Sequence, residues 1–343
     1  MRIAIVNDMK MTSELLRRII LHIPGCELAW IAYDGLEAVH KCQEDLPDLI
    51  IMDINMPVMN GVEATRLIMH NTPCAILVVT ATIDGNTTEV YEALGEGALD
   101  AVNTPIMAND ASAGGDSELI RKINMLKKLI KIQPRKNLMP HSGGARSIEI
   151  DDQPIMVAIG ASTGGPKAIV ELLSVIPGNV NAMFTIIQHI DCQFAEGLAS
   201  WLKTSCHLKV RLAHEGAYPE PGTVLIAGTN DHMIMRGDGS LAYTRKPEDN
   251  PFRPSVDVFF DSLAASWPHK GIAAVLTGIG RDGAIGMLRL KQAGWKTFAQ
   301  DKDSCVVFGM PKTAIEFGGA NEVLCPRDIG KRICEIINHK HMA

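Results

Sequence analysis

The chain has no C-x-x-C pair, although its 343 residues include eight cysteines, at positions 26, 42, 74, 192, 206, 305, 325 and 334. That scatter excludes the usual zinc spacings and predicts reduced thiols in a cytoplasmic protein rather than a disulfide framework. No apolar run is long enough to span a bilayer. The opening Met1-Arg2-Ile3-Ala4-Ile5-Val6-Asn7-Asp8 turns acidic too early for a signal peptide, so no direct membrane insertion is expected. There is no long basic run and the net charge is −6, which argues against nucleic acid as the main partner. Aromatic residues make up only 5%, yet 46% hydrophobic and 21% charged residues describe a globular chain. Its length exceeds one small core, so two domains are expected.

The first domain alternates short apolar runs with amphipathic ones. Ile3–Val6, Leu28–Tyr33, Asp48–Asp53, Ala75–Val79 and Ala98–Val102 read as strands. Segments 11–22, 36–43, 62–70, 87–94 and 117–132 read as helices. That alternation predicts a doubly wound parallel sheet, α/β in class. Such sheets place their sites at the C-terminal strand ends, where Asp8, Asp53 and Thr80 fall. Two carboxylates gathered there repel unless a cation lies between them, and oxygen-only ligands favour Mg²⁺. A polar, Gly-rich insertion is expected at 108–116. From Gln133 the sequence loses apolar period and carries two prolines and a glycine pair, the composition of a tether. The expected division is 1–132, a linker over 133–152, and a second domain over 153–343.

The second domain opens on Met156-Val157-Ala158-Ile159-Gly160-Ala161-Ser162-Thr163-Gly164-Gly165-Pro166. An apolar strand ends at a glycine, and Gly160–Gly164 fits G-x-S-x-G, a nucleophile on a tight strand-to-helix turn. The strand Met183–Ile187 ends in Gln188-His189, and Gly271–Thr277 runs into Gly278-Ile279-Gly280-Arg281-Asp282-Gly283. Ser162, His189 and Asp282 thus come from three strand ends of one inferred parallel sheet. They suit nucleophile, base and orienting acid, the acid binding the histidine through Nδ1–H. The order Ser, His, Asp differs from that of ordinary α/β-hydrolases. His207, His214, His232 and His269 carry no comparable signal. Residues 208–245 are expected to form hairpins, Gly237-Asp238-Gly239-Ser240 being a good tight turn. The loop Lys246–Ser255 is either a cleft rim or a plain connector, with Ser255 a helix N-cap.

Met52-Asp53-Ile54-Asn55-Met56-Pro57-Val58-Met59-Asn60-Gly61 resembles the most distinctive phrase of response-regulator receiver domains, which are flavodoxin-like with five parallel strands. That resemblance implies Asp53 as phosphoacceptor, Asp8, Asp53 and the Asn55 carbonyl as Mg²⁺ ligands, and Thr80 as switch hydroxyl. Two positions depart from the pattern: Asn7 stands where a second acid is usual, and Thr104 where a lysine is usual. The Ser162, Gln188-His189 and Thr277–Gly283 stretches resemble the three signatures of chemotaxis protein-glutamate methylesterases of the CheB type. The receiver details are similar to the WspF-like subgroup, which serves surface sensing.

By that resemblance Ser162, His189 and Asp282 are catalytic, with Thr163, Gly280 and Gly283 as oxyanion or supporting groups. The esterase reaction itself needs no cofactor. The substrate is implied to be glutamate methyl esters on methyl-accepting chemoreceptors, with glutamine deamidation as a related activity. A CheA-type histidine kinase is the implied phosphodonor, and phosphorylation is implied to move the receiver off the cleft. Two other readings remain open. Gly160-x-Ser162-x-x-Gly165 is one residue from a dinucleotide fingerprint, although no acid follows at the end of the next strand. A receptor-binding regulator without catalysis is the other.

Overall fold

The computed structural model describes residues 1–80, 83–105, 115–130 and 153–342. The chain divides into two compact units, Met1–Asn137 and Leu138–Ala343. The linker read at 133–152 and most of the insertion at 108–116 lie outside the described residues.

In the first unit, β1 (Arg2–Val6), β2 (Glu27–Ala32), β3 (Leu49–Asp53), β4 (Ala75–Thr80) and β5 (Asp100–Asn103) alternate with α1 (Lys10–His22), α2 (Gly35–Glu44), α3 (Gly61–Asn71), α4 (Ile83–Glu96) and α5 (Gly115–Ile130). The strands form one parallel sheet in the order β2-β1-β3-β4-β5. The central runs are continuous in apolar character because both faces are covered. On one face Ile3, Ile5, Leu49, Ile51, Leu77 and Val79 pack with Leu16 and Ile20 of α1 and Leu119 and Ile123 of α5. Asp34 and Asn60 cap α2 and α3, accepting from the N–H groups of Glu37 and Glu63.

The second unit contains β6 (Ile155–Ala161), α6 (Gly165–Leu173), β7 (Ala182–Gln188), α7 (Cys192–Ser205), β8 (Lys209–Leu212), β9 (Thr223–Ile226), β10 (His232–Met235), β11 (Leu241–Thr244), α8 (Val256–Ser266), β12 (Ile272–Val275), α9 (Ala284–Gln292), β13 (Lys296–Gln300), α10 (Met310–Glu316), β14 (Glu322–Leu324) and α11 (Pro326–Met342). Seven strands make a parallel sheet in the order β14-β13-β12-β6-β7-β9-β8, with β6 and β7 near its middle.

Two readings of the sequence change here. Only β10 and β11 form the hairpin expected over 208–245, turning at Asp238-Gly239. β8 and β9 instead extend the main sheet, each parallel to its neighbour. The cause is burial on both faces: every residue of Thr223-Val224-Leu225-Ile226 is buried, which an exposed hairpin strand could not achieve. Helix α7 was not anticipated, although Phe194, Ala195, Leu198, Ala199 and Leu202 recur at helical spacing and Asp191 caps its start.

Close approach of two elements fixes one glycine. A Cβ on Gly160 of β6 would lie 2.3 Å from Val256 Cγ1 at the start of α8. Gly160→Ala therefore overpacks the contact and is expected to cost about 1–3 kcal/mol. In a thermal melt of the full chain, the transition of the second unit should fall by about 2–4 °C for each kcal/mol.

Candidate active site

Three strand ends of the second unit converge. β6 delivers Ser162, which is nearly buried (7% exposed). The Ser162 N–H donates to the Thr277 carbonyl (3.0 Å), and its own carbonyl accepts from Gly165 N–H and Gln188 Nε2 (both 2.8 Å). Gly164 caps α6 in the left-handed region (φ +75°), and a Cβ there would lie 2.6 Å from Val306 Cβ. The turn therefore needs glycine for both conformation and space. Thr277 ties it to the segment after β13: its hydroxyl donates to the Thr163 carbonyl (3.0 Å) and accepts from Val307 N–H (2.9 Å). Its own N–H donates to Gln300 Oε1 (2.7 Å).

β7 delivers His189, whose N–H donates to the Ala161 carbonyl (2.9 Å), so His189 and Ser162 leave adjacent strands side by side. The imidazole meets Asp282 through Nε2, 2.7 Å from Oδ2. The contact is at Nε2, not at the Nδ1 expected from the sequence. The reach follows from strand order: β6 lies between β7 and β12, so the acid at the third strand end is met by the ring nitrogen farther from the His189 backbone. Nδ1 is buried with no hydrogen-bond partner. The Ser162 hydroxyl likewise makes no hydrogen bond among the described residues. Catalytic hydrogen bonds are commonly loose or unformed before substrate binds.

Asp282 stands in the turn after β12, at the N-terminus of α8. Its carboxylate accepts from His189 Nε2, from Ser255 Oγ (2.7 Å), and from the N–H groups of Val256 (2.6 Å) and Asp257 (3.0 Å). Burial works to raise its pKa. The His189 bond and charge, with the donors from Asp257 and Ser255, outweigh it and hold the carboxyl below its ordinary value. Gly280 is left-handed (φ +89°), and a Cβ there would touch Phe252 Cζ at 3.5 Å. Gly283 is left-handed (φ +87°) and caps α9, whose Gly286 N–H donates to Asp257 Oδ1 (2.7 Å). Burial pushes Asp257 up to about 6, with the Asp282 and Asp261 charges adding to the rise against the N–H groups of Gly286 and Gly283. The 246–255 loop is a rim of the site, because Phe252 stacks on His189 with ring centroids 4.5 Å apart and planes 7° from parallel.

In the first unit Asp53 ends β3, half-buried, and Thr80 ends β4, buried. Asn7 Nδ2 donates to Asp53 Oδ2 (2.8 Å), and Asn55 N–H lies 3.4 Å from Asp53 Oδ1. Asp8 is exposed beside this group. Burial raises the Asp53 pKa to about 6, and the Asp8 charge adds to the rise against the N–H groups of Asn55 and Ile54. This geometry suits Mg²⁺: two carboxylates whose repulsion a divalent cation would relieve, beside a backbone carbonyl. Among the described residues no group of three or more His, Cys, Asp or Glu could hold a metal. Thr104 is held by its N–H on the Thr80 carbonyl (2.9 Å). Lys122 is no substitute for the missing lysine, since Asp100 Oδ1 (2.8 Å) and the Ala101 carbonyl (2.5 Å) engage its ammonium. None of the eight cysteines is in a disulfide. No helix among the described residues is long and apolar enough to cross a membrane.

A serine on a strand-to-helix turn, with a histidine–aspartate pair on neighbouring strands of one parallel sheet, defines a serine-hydrolase type of centre. Residues 157–333 match the family model for the CheB methylesterase, and residues 3–112 match that for the response regulator receiver domain. A protein-glutamate methylesterase/protein-glutamine glutaminase of Mesorhizobium japonicum is 47% identical, the match covering 98% of each chain. Protein-glutamate methylesterase/protein-glutamine glutaminase 3 of Pseudomonas aeruginosa is 44% identical over 98% of this chain and 100% of its own. Among solved structures, the Thermotoga maritima CheB methylesterase catalytic domain is 35% identical with a TM-score of 0.52, covering 54% of this chain and 100% of that one. The chain belongs to the CheB methylesterase family, with a response-regulator receiver domain ahead of the methylesterase domain.

Asp282→Asn presents an amide to Nε2 and disfavours the tautomer that leaves Nδ1 free to act as base. Ester hydrolysis should fall by about 10⁴-fold. Because the folded pKa of Asp282 is depressed, its ionised form stabilises the fold above the unfolded value near ~4 and loses that contribution as pH falls through the folded value. Urea unfolding followed from neutral to acidic pH should therefore decline less steeply in Asp282→Asn than in the wild type.

Proposed function

We propose that this chain is a phosphorylation-regulated protein-glutamate methylesterase that demethylates glutamate side chains of methyl-accepting chemoreceptors and deamidates receptor glutamines. The observation that carries the reading is the His189–Asp282 pair placed beside Ser162 at the end of one parallel sheet. Family membership supports it, and so does the activity in the names of relatives that align over nearly the whole chain.

In the proposed reaction Ser162 Oγ attacks the ester carbonyl while His189 Nδ1 takes its proton. The imidazolium keeps Nε2–H on Asp282, whose charge stabilises it. The developing oxyanion is met by backbone N–H groups near Thr163 and Gly280, at the starts of the two glycine turns. Collapse expels methanol, protonated from Nδ1, and leaves a glutamyl ester on Ser162. Water, deprotonated by the same nitrogen, releases free glutamate and restores the serine. For glutamine the leaving group is ammonia.

The receiver is proposed to take a phosphoryl group from a CheA-type histidine kinase onto Asp53, with Thr80 following the new charge. Asp8, Asp53 and the Asn55 carbonyl would hold Mg²⁺, which when bound supplies positive charge to offset that of the phosphoryl group. Asn7 and Thr104 leave this acceptor with fewer charges than the family pattern, so a modest activation is expected. Free thiols suit work in the cytoplasm.

Ser162→Ala should lower methanol release from methylated receptor by about 10⁴-fold or more with the domain still folded. Near-wild-type release would sink the nucleophile assignment. Acetyl phosphate with Mg²⁺ should raise the esterase rate of the full chain, and Asp53→Asn should abolish the rise. An unchanged rate with Asp53 demonstrably phosphorylated would overturn the regulatory reading.

A further inference from the structure

The connection from β11 to α8 is held at both ends by one buried side chain. His232, the first residue of β10, is fully buried (0% exposed). Its Nε2 lies 3.2 Å from the Pro247 carbonyl, and its Nδ1 accepts the Ser255 N–H at 3.1 Å. A carbonyl can only accept and an N–H can only donate. The partners therefore set a neutral imidazole with its proton on Nε2. Burial holds the His232 pKa below its ordinary value, and Arg253 adds to that, while the Pro247 carbonyl, Asp282 and Asp231 act the other way.

Between those anchors the connection places two groups on the catalytic pair. Ser255 donates its hydroxyl to Asp282 Oδ1 (2.7 Å). Phe252, its N–H on Asn250 Oδ1 (2.9 Å), lays its ring parallel to the His189 imidazole and against Gly280. His189 has one hydrogen-bonded ring nitrogen, at Nε2, and a second, Nδ1, without a partner. One hydrogen bond fixes a point of the ring but not its plane. A parallel ring at 4.5 Å restrains that plane and keeps water from one face.

We propose that Phe252 and His232 are positioning residues of the esterase: His232 clamps the 247–255 connection, and the Phe252 ring holds the His189 imidazole in the plane that serves Ser162 and Asp282 together. The inference rests on the esterase reading above. It assigns a task to a histidine that carries no motif in the sequence.

The test uses the full chain with Phe252→Leu, Phe252→His, His232→Ala and His232→Gln, each checked for folding by circular dichroism. Phe252→His keeps a flat ring, neutral at about pH 8. His232→Gln keeps a donor near the Nε2 position. Three readouts are taken: the rate of Ser162 labelling by a fluorophosphonate, kcat and KM for methanol release, and the NMR resonance of the His189 Nε2 proton. Phe252→Leu and His232→Ala should slow labelling and lower kcat by about tenfold, since small misplacement of a base is costly. KM should stay within about twofold, and the flat-ring and amide variants should recover most of the loss. A folded Phe252→Leu that labels at the wild-type rate, or that raises KM alone, overturns the proposal. If the wild type itself resists labelling, the nucleophile reading fails separately. The NMR readout then decides: a shifted or broadened Nε2 proton in Phe252→Leu supports positioning, and an unchanged one overturns it.

Discussion

The Asp282 carboxylate accepts four hydrogen bonds, from His189, Ser255 and the first two N–H groups of α8, in a place almost closed to water. A buried carboxylate without such donors would be costly to ionise. The helix N-terminus supplies orphan N–H groups and the positive end of its dipole, so the acid stays charged there. The rest of the site depends on that charge. It fixes Nε2 as the ring nitrogen of His189 that faces the acid and leaves Nδ1 without a hydrogen-bond partner. It also ties α8 to the turn after β12, and through Gly160 against Val256 that helix packs on the strand leading to Ser162.

A parallel sheet makes the convergence possible. Every strand runs the same way, so the C-terminal ends of β6, β7 and β12 lie side by side and their loops can share one task. The two glycine turns, at Gly164 and Gly283, start helices in the left-handed conformation immediately beyond the reactive residues. In the first unit the same architecture brings Asp53 and Thr80 to adjoining strand ends. There the electrostatics run the other way: burial and the Asp8 charge raise the Asp53 pKa to about 6, and Asn7 gives it a neutral donor instead of another charge. A carboxylate in that setting gains most when a cation is brought to it.

Much of this was legible in the sequence. Apolar runs closing on Asp53, Ser162 and His189 marked strands ending in functional groups, because an interior parallel strand must be apolar along its whole length and polar only where it emerges. Helix α7 carries an ordinary amphipathic signal and an Asp191 cap, both local features of its sequence. β8 and β9 were not readable as parallel strands. Short apolar runs separated by turn residues look the same whether they fold back on each other or join a sheet, and only burial of both faces of β9 distinguishes the two.

By itself the sequence determined the α/β alternation of both domains, the glycine turn at Ser162, the strand ends at His189 and Asp282, and the receiver phrase around Asp53. Apart from the alternation, each of these is a local pattern within about ten residues. The tertiary structure decided that Asp282 binds Nε2 rather than Nδ1, that Gly286 N–H serves Asp257, that Phe252 stacks on the His189 imidazole, and that His232 holds the loop carrying Phe252. Those contacts join residues far apart in the chain, 93 positions for His189 and Asp282. Their geometry depends on how strands and helices pack, and no local spacing encodes which atom of a side chain will face its partner.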